Sequence, residues 1–192
     1  MQRIRDENMF LYICDSVSAF LNKYFPSEQL KAARIALLKL DHIYYKNDSL
    51  YAKFRGDPTA QGSYIPQKES RILIEELVSL INQKGTSRMK VRAALCQVYH
   101  HGLHRRFYEG RELLLKTHVG ESIHLQDIGS QILYNRAITQ VGLAAFRLGL
   151  NEESHDVLVE VVQTARLREI LAQGISRMPD KPVELEKEEM KR

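Results

Sequence analysis

Residues 131–158 read QILYNRAITQVGLAAFRLGLNEESHDVL, and this stretch decides the fold. Ile132, Leu133, Ile138, Val141, Ala144, Ala145 and Leu148 recur at three- and four-residue intervals, the repeat of one helix face. Gly149 stops that helix, Asn151 is placed to cap the next, and Glu152 and Glu153 follow where carboxylates suit the positive end of a helix dipole. Val157, Leu158, Val161 and Val162 give the second helix its own apolar face. The small residues Gly142 and Ala145 let the two helices approach closely.

Working back toward the N-terminus, the same period recurs. Residues 3–24 carry Ile4, Phe10, Leu11, Cys14, Val17, Phe20 and Leu21 at helical spacing and stop against Pro26; Ser27 is placed to cap a second helix that runs to about Tyr45. Residues 69–83 form a third, closed by Gly85, and Thr86 or Ser87 opens a fourth through Met89, Ala93, Cys96, Tyr99 and Leu103. A short helix with Phe107, Gly110, Leu113 and Leu114 ends near Gly120, the longest helix spans about 129–148, and a last short one is expected over 166–176. No stretch shows sustained polar and apolar alternation, so the fold class is all-α.

Helix pairs follow one another at roughly 40 residues, the range of two-helix solenoid repeats. Within the quoted stretch, Gly142, Ala145, Phe146 and Gly149 fall as the small and aromatic positions of a tetratricopeptide hairpin do. The expected architecture is a right-handed stack of helical hairpins rather than a closed bundle. Its parts are a first hairpin over 1–46, a connecting loop over 47–66 rich in Asn, Asp, Ser, Gly and Pro, hairpins over 67–176 continuous with the first, and a polar tail over 177–192.

Composition narrows the function classes. The chain has 192 residues, 44% of them hydrophobic, and no apolar run approaches the roughly 20 residues a bilayer requires. Cys14 and Cys96 lie far apart, each inside an apolar helical pattern, which suits packed thiols in a reducing, cytoplasmic setting; no export signal is visible. The net charge of +4 is small but uneven: between Lys84 and Lys116 eight Lys or Arg stand against Glu109 and Glu112, a local net of +6. Arg88, Lys90, Arg92, His101, Arg105, Arg106 and Arg111 in this run are the candidate contacts for an acidic protein surface or for RNA phosphates.

Residues that could carry chemistry read more plainly as structure. Cys96, His100 and His104 share one helix stripe, but three ligands on successive turns span about 12 Å, too far for one tetrahedral ion; packed or surface histidines, and no metal or other cofactor, are the expectation. There is no nucleophile elbow, no thiol-protease signature and no phosphate loop, so neither an enzyme nor a small-molecule substrate is expected. Tyr44, Tyr45, Tyr99, Phe107, Tyr108 and Tyr134 could stack bases, yet packing between hairpins accounts for them more simply.

The segments 99–118, YHHGLHRRFYEGRELLLKTH, and 131–158 resemble the middle region of the C subunit of eukaryotic translation initiation factor three, ahead of its PCI module. Weaker similarity extends from about Tyr12 to Ser176. Gly102 and Gly110 stand where that family tends to have Ala, Phe107 where a Trp is usual, and the loop over 47–66 differs in length. The resemblance implies a non-catalytic scaffold in a PCI-associated helical array. Its implied partners are the other subunits of the factor and the small ribosomal subunit, with an rRNA or mRNA contact as the alternative use of the basic run.

Overall fold

The computed structural model describes residues 7–48 and 69–163, and all regular structure among them is helical, without a strand. In chain order the elements are α1 (Glu7–Tyr24), α2 (Gln29–Ile43), α3 (Ser70–Lys84), α4 (Ser87–Leu103), α5 (Phe107–Thr117), the single turn α6 (Val119–Ser122), a 3-10 turn (Ile123–Leu125), α7 (Ile128–Arg147) and α8 (Asn151–Gln163). The last helix read over 166–176, the tail over 177–192 and most of the loop over 47–66 lie outside the described residues.

The buried faces keep the helical period but not every apolar residue read into them: on α1 Leu11 and Cys14 are buried, whereas Val17 and Phe20 of the same reading are exposed. α2 turns Ala33, Ala36, Leu40 and Ile43 inward, and α3 turns Ile74, Val78 and Ile81, at the three- and four-residue steps of one face. α4 is buried on several sides: Ala93, Leu95, Cys96 and Val98 are all inaccessible. The reason is its place, since α2, α3, α5 and α7 all pack against it. One core therefore runs from Leu11 on α1 through α4 to Val161 on α8. Lys39, buried on α2, pairs with Asp15 of α1, so the charge it carries into that hairpin is neutralised across it.

Two glycines sit at close helix contacts. A Cβ on Gly142 would stand 2.9 Å from Leu158 Cδ2, so α8 lies directly on α7 as the hairpin reading expects. A Cβ on Gly102 would stand 2.8 Å from the backbone carbon of Gln140, so α4 meets α7 backbone to backbone. Phe146 differs from its expected packed role: it is exposed, while Ala145 beside it is buried.

Helix ends depart from the sequence reading in three places. Ser27 precedes the cap residue Glu28, whose side chain makes no capping bond. Asn151 is already the first helical residue of α8, and Ser154 N–H bonds to the carbonyl of Leu150 instead. α7 starts before Gly129, because Asp127 accepts from both the backbone N–H and the hydroxyl of Ser130. The stop at Gly149 holds: its φ is +78°, with Gly149 N–H on Phe146 O and Leu150 N–H on Ala145 O, both at 3.0 Å.

Candidate functional site at the α4–α5 turn

α4 ends with the same pair of bonds that ends α7. Arg105 N–H reaches Gly102 O at 3.2 Å and Arg106 N–H reaches His101 O at 2.9 Å, which places Arg105 at φ 59°, in the left-handed region. Glycine adopts that conformation freely, whereas a side chain there costs roughly 1–2 kcal/mol. The turn nevertheless carries an arginine, exposed at its apex.

The basic run divides into surface and interior groups. Arg105, Arg111 and Lys90 are exposed; Arg88 is exposed too, with Nη2 3.0 Å from Asp127 Oδ2 at the start of α7. Arg92 is half-buried and holds both oxygens of Asp41 through Nε, at 3.1 and 3.2 Å, which ties α4 to α2. His101 is buried, and burial together with the Arg106 charge keeps its imidazole below the usual range. Arg106 is half-buried with Nη1 enclosed, and neither that atom nor His101 Nδ1 finds a hydrogen-bond partner. Arg92 is thus engaged with Asp41 and His101 is enclosed, Arg106 is half-buried, and Arg88, Lys90, Arg105 and Arg111 are the exposed members of the candidate set.

The aromatic residues are mostly packed. Tyr44 meets the ring of Tyr99 edge-on at 5.2 Å, and Phe107 and Tyr134 are buried; among these rings only Tyr45 and Tyr108 are substantially exposed. They form no continuous stacking platform. Burial, followed by the nearby Cys96 and Asp41, pushes the Tyr44 hydroxyl up to about 12, and burial likewise raises the Cys96 thiol well above its usual range.

Both groups are neutral when protonated and stay protonated longer in the folded chain, so their contribution is complete below pH 9 and is lost as pH rises. Tyr44 alone is expected to forfeit about 1.4 kcal/mol between pH 8 and 11, one pKa unit of differential protonation. Urea melts at those two values, compared between wild type and Tyr44→Phe, measure it: the alkaline loss should shrink in the variant, and an equal loss in both would contradict the assignment.

Behind the turn lies a polar cluster that the sequence reading did not assemble. His100 and His104, one helical turn apart, stack with ring centroids 4.1 Å apart. Asp48, just beyond α2, places Oδ1 3.2 Å from His104 Nε2 and donates its backbone N–H to the same nitrogen at 3.2 Å. Ser70, the first residue of α3, hydrogen-bonds Asp48 Oδ1 and lies 3.2 Å from His100 Nε2. His104 Nδ1 faces the carbonyl of His100 at 2.9 Å. Burial lowers the pKa of His100 to about 3, with the neighbouring His104 and Arg106 adding to the effect. Cys96 does not join the cluster, since its thiol points to Asp41 Oδ1 at 3.7 Å. Three sequence-distant segments therefore meet at His100 and His104, and no local spacing announces Asp48.

Fold and site together define an all-helical protein whose polar chemistry is gathered behind one basic interhelical turn. Over residues 1–192 the chain matches the family model described as Eukaryotic translation initiation factor 3 subunit 8 N-terminus. It is 34% identical over 195 residues to the C subunit of eukaryotic translation initiation factor 3 from Culex quinquefasciatus, covering 100% of this chain and 21% of that protein. The protein of the same description from Schizosaccharomyces pombe is 33% identical over 184 residues, covering 91% and 20%. That from Danio rerio is 34% identical over 203 residues, covering 100% and 22%. The chain belongs to this translation initiation factor family, and it spans about a fifth of the length of these relatives. Their names are those of factor subunits in protein biosynthesis rather than of enzymes. No described helix is long and apolar enough to cross a membrane.

Proposed function

We propose that the chain is a non-catalytic, cytoplasmic scaffold segment that helps assemble a multi-subunit initiation factor and dock it on the small ribosomal subunit. The observation that carries this reading is the outer face of α1. Met9, Ile13, Phe20 and Tyr24 follow one another along the helix at four- and seven-residue steps, with Tyr12 and Val17 beside them, and all are exposed, Tyr12 and Tyr24 at 57% each. An apolar stripe of this length on a helix surface is characteristic of a face that another protein covers.

The consecutive pairing of α1 with α2, α3 with α4 and α7 with α8 supports a right-handed, tetratricopeptide-like stack of hairpins associated with a PCI module. The α4–α5 turn offers a second, basic face through the exposed Arg105 and Arg111.

Co-purification with the other core subunits tests both faces at low and moderate salt. Ile13→Glu plus Phe20→Glu is expected to lower capture of a partner by more than about tenfold, the scale of 1.4 kcal/mol or more lost at a buried contact. Arg105→Glu plus Arg111→Glu is expected to weaken binding at low salt and to matter less as salt rises. If none of those subunits is captured and the wild type instead shifts RNA with steep salt dependence, direct RNA binding through the basic turn replaces the scaffold reading.

A further inference from the structure

We propose that Asp48, His100 and His104 ligate a single zinc-class divalent ion, with the Ser70 hydroxyl or a water in the fourth position. One ligating atom from each of the three lies within 4.8 Å of the others. Four-coordinate zinc holds its ligands about 2.0–2.2 Å from the ion, which places them about 3.3 Å from one another. His104 Nε2 and Asp48 Oδ1 already stand 3.2 Å apart. No separation needs to close by more than about 1.5 Å, within reach of side-chain rotation.

The hydrogen bonds set the ring orientations. A carbonyl only accepts, so His104 Nδ1–H donates to His100 O, and Nε2 is the nitrogen that faces Asp48. There it meets the Asp48 amide N–H and, equally near, the Asp48 carboxylate. A proton or a metal ion between His104 Nε2 and the carboxylate would each satisfy that approach, and the convergence of three ligating atoms is what favours the metal. The Ser70 hydroxyl donates to Asp48 Oδ1 and its oxygen can accept from His100 Nε2–H, which places it beside two of the three ligands. Metal-bound imidazoles characteristically donate their other N–H to a backbone carbonyl, the arrangement His104 shows.

Two imidazoles and one carboxylate suit zinc and its neighbours rather than calcium or magnesium, which prefer all-oxygen cages. The neutral imidazole is the form that binds a metal. The helix stripe alone places His100 and His104 on one side of the ion, and the chain arriving from α2 supplies the third ligand from the other. A bound ion would clamp the end of the α2 hairpin and the start of α3 to the α4–α5 turn, a consequence independent of the scaffold reading.

The test uses the full chain, freed of any affinity tag and stripped with a chelator, titrated with zinc and separately with cobalt(II) near neutral pH. About one zinc per chain is expected, with the visible cobalt absorption of a four-coordinate site and a higher melting temperature when zinc is present. Asp48 is 53% exposed through its side chain, so Asp48→Asn leaves the core intact; it is expected to weaken zinc binding about tenfold or more. His104→Gln should do the same, while Cys96→Ser and His118→Ala should leave affinity unchanged. Circular dichroism of each chelator-treated variant separates loss of the site from loss of fold. Absence of saturable zinc binding by the wild type, or equal affinity in the wild type, Asp48→Asn and His104→Gln, overturns the proposal.

Discussion

Phe107→Ala is expected to cost about 3–5 kcal/mol, the loss of a fully buried aromatic ring plus the cavity it leaves. Phe107 opens α5, is 1% exposed, and is the largest of the fully buried side chains among the described residues. It belongs to the core that joins α4, α5 and α7, and α4 and α7 meet backbone-close at Gly102, so little can move in to fill the space. Tyr108, the next residue, is 63% exposed and touches Phe107 only edge-on at 5.3 Å. Tyr108→Ala should therefore cost less than about 1 kcal/mol, as surface changes do. Urea melts of both variants give the comparison. A loss below about 1 kcal/mol in Phe107→Ala, or similar losses in the two, would contradict the packing described for the turn.

The second large effect separates two glycines that look alike in sequence. Both Gly102 and Gly110 lie inside helices, and helix propensity alone would have each gain roughly 0.5–1 kcal/mol on changing to Ala. Their surroundings give them opposite signs. At Gly102 a Cβ would fall 2.8–2.9 Å from Gln140 C, Gln140 O and Val141 N, all backbone, and α7 cannot yield without disturbing its own ladder. At Gly110 the nearest atoms, His101 Cβ and Val141 Cγ2, stand at 3.4 Å, an ordinary contact. Gly102→Ala is expected to lose about 3 kcal/mol, the upper end of overpacking costs, and Gly110→Ala to be neutral or slightly stabilising. At about 2–4 °C per kcal/mol for a chain of this size, thermal melts separate the two plainly. Equal shifts in the two would mean that α4 and α7 are farther apart than described.

How much of this is legible in the sequence depends on the range of the contact involved. Helix existence and most of the buried stripe of α7 follow from three- and four-residue periods, which are local, whereas on α2 the apolar Leu30 and Leu38 are exposed and Ala36 and Ile43 are buried in their place. The stop at Gly149 is legible for the same reason. Apolar spacing misplaces the start of α7 because Asp127 and Ser130 cap it by a side-chain exchange that such spacing does not register. Ser27 and Asn151 are residues of capping type that the helices do not use as caps. The basic run is visible as charge, but a count does not reveal which cations are already engaged. Arg92 is held by Asp41, 51 residues away, and Lys116 by Glu112 on its own helix. The polar cluster is out of reach for the same physical reason. Asp48 meets His104 across 56 residues, and only the packing of α2 and α3 on α4 brings them together.

The most direct test of the account is hydrogen exchange at the backbone amides of α1, compared between the free chain and the factor assembled from its other subunits. Packing on the outer stripe of Met9, Ile13, Phe20 and Tyr24 should slow exchange across Glu7–Tyr24 by about tenfold or more, while the interior helix α4 changes little. Unchanged exchange in α1 within an assembled factor would contradict the claim that this face is where the segment holds its partner.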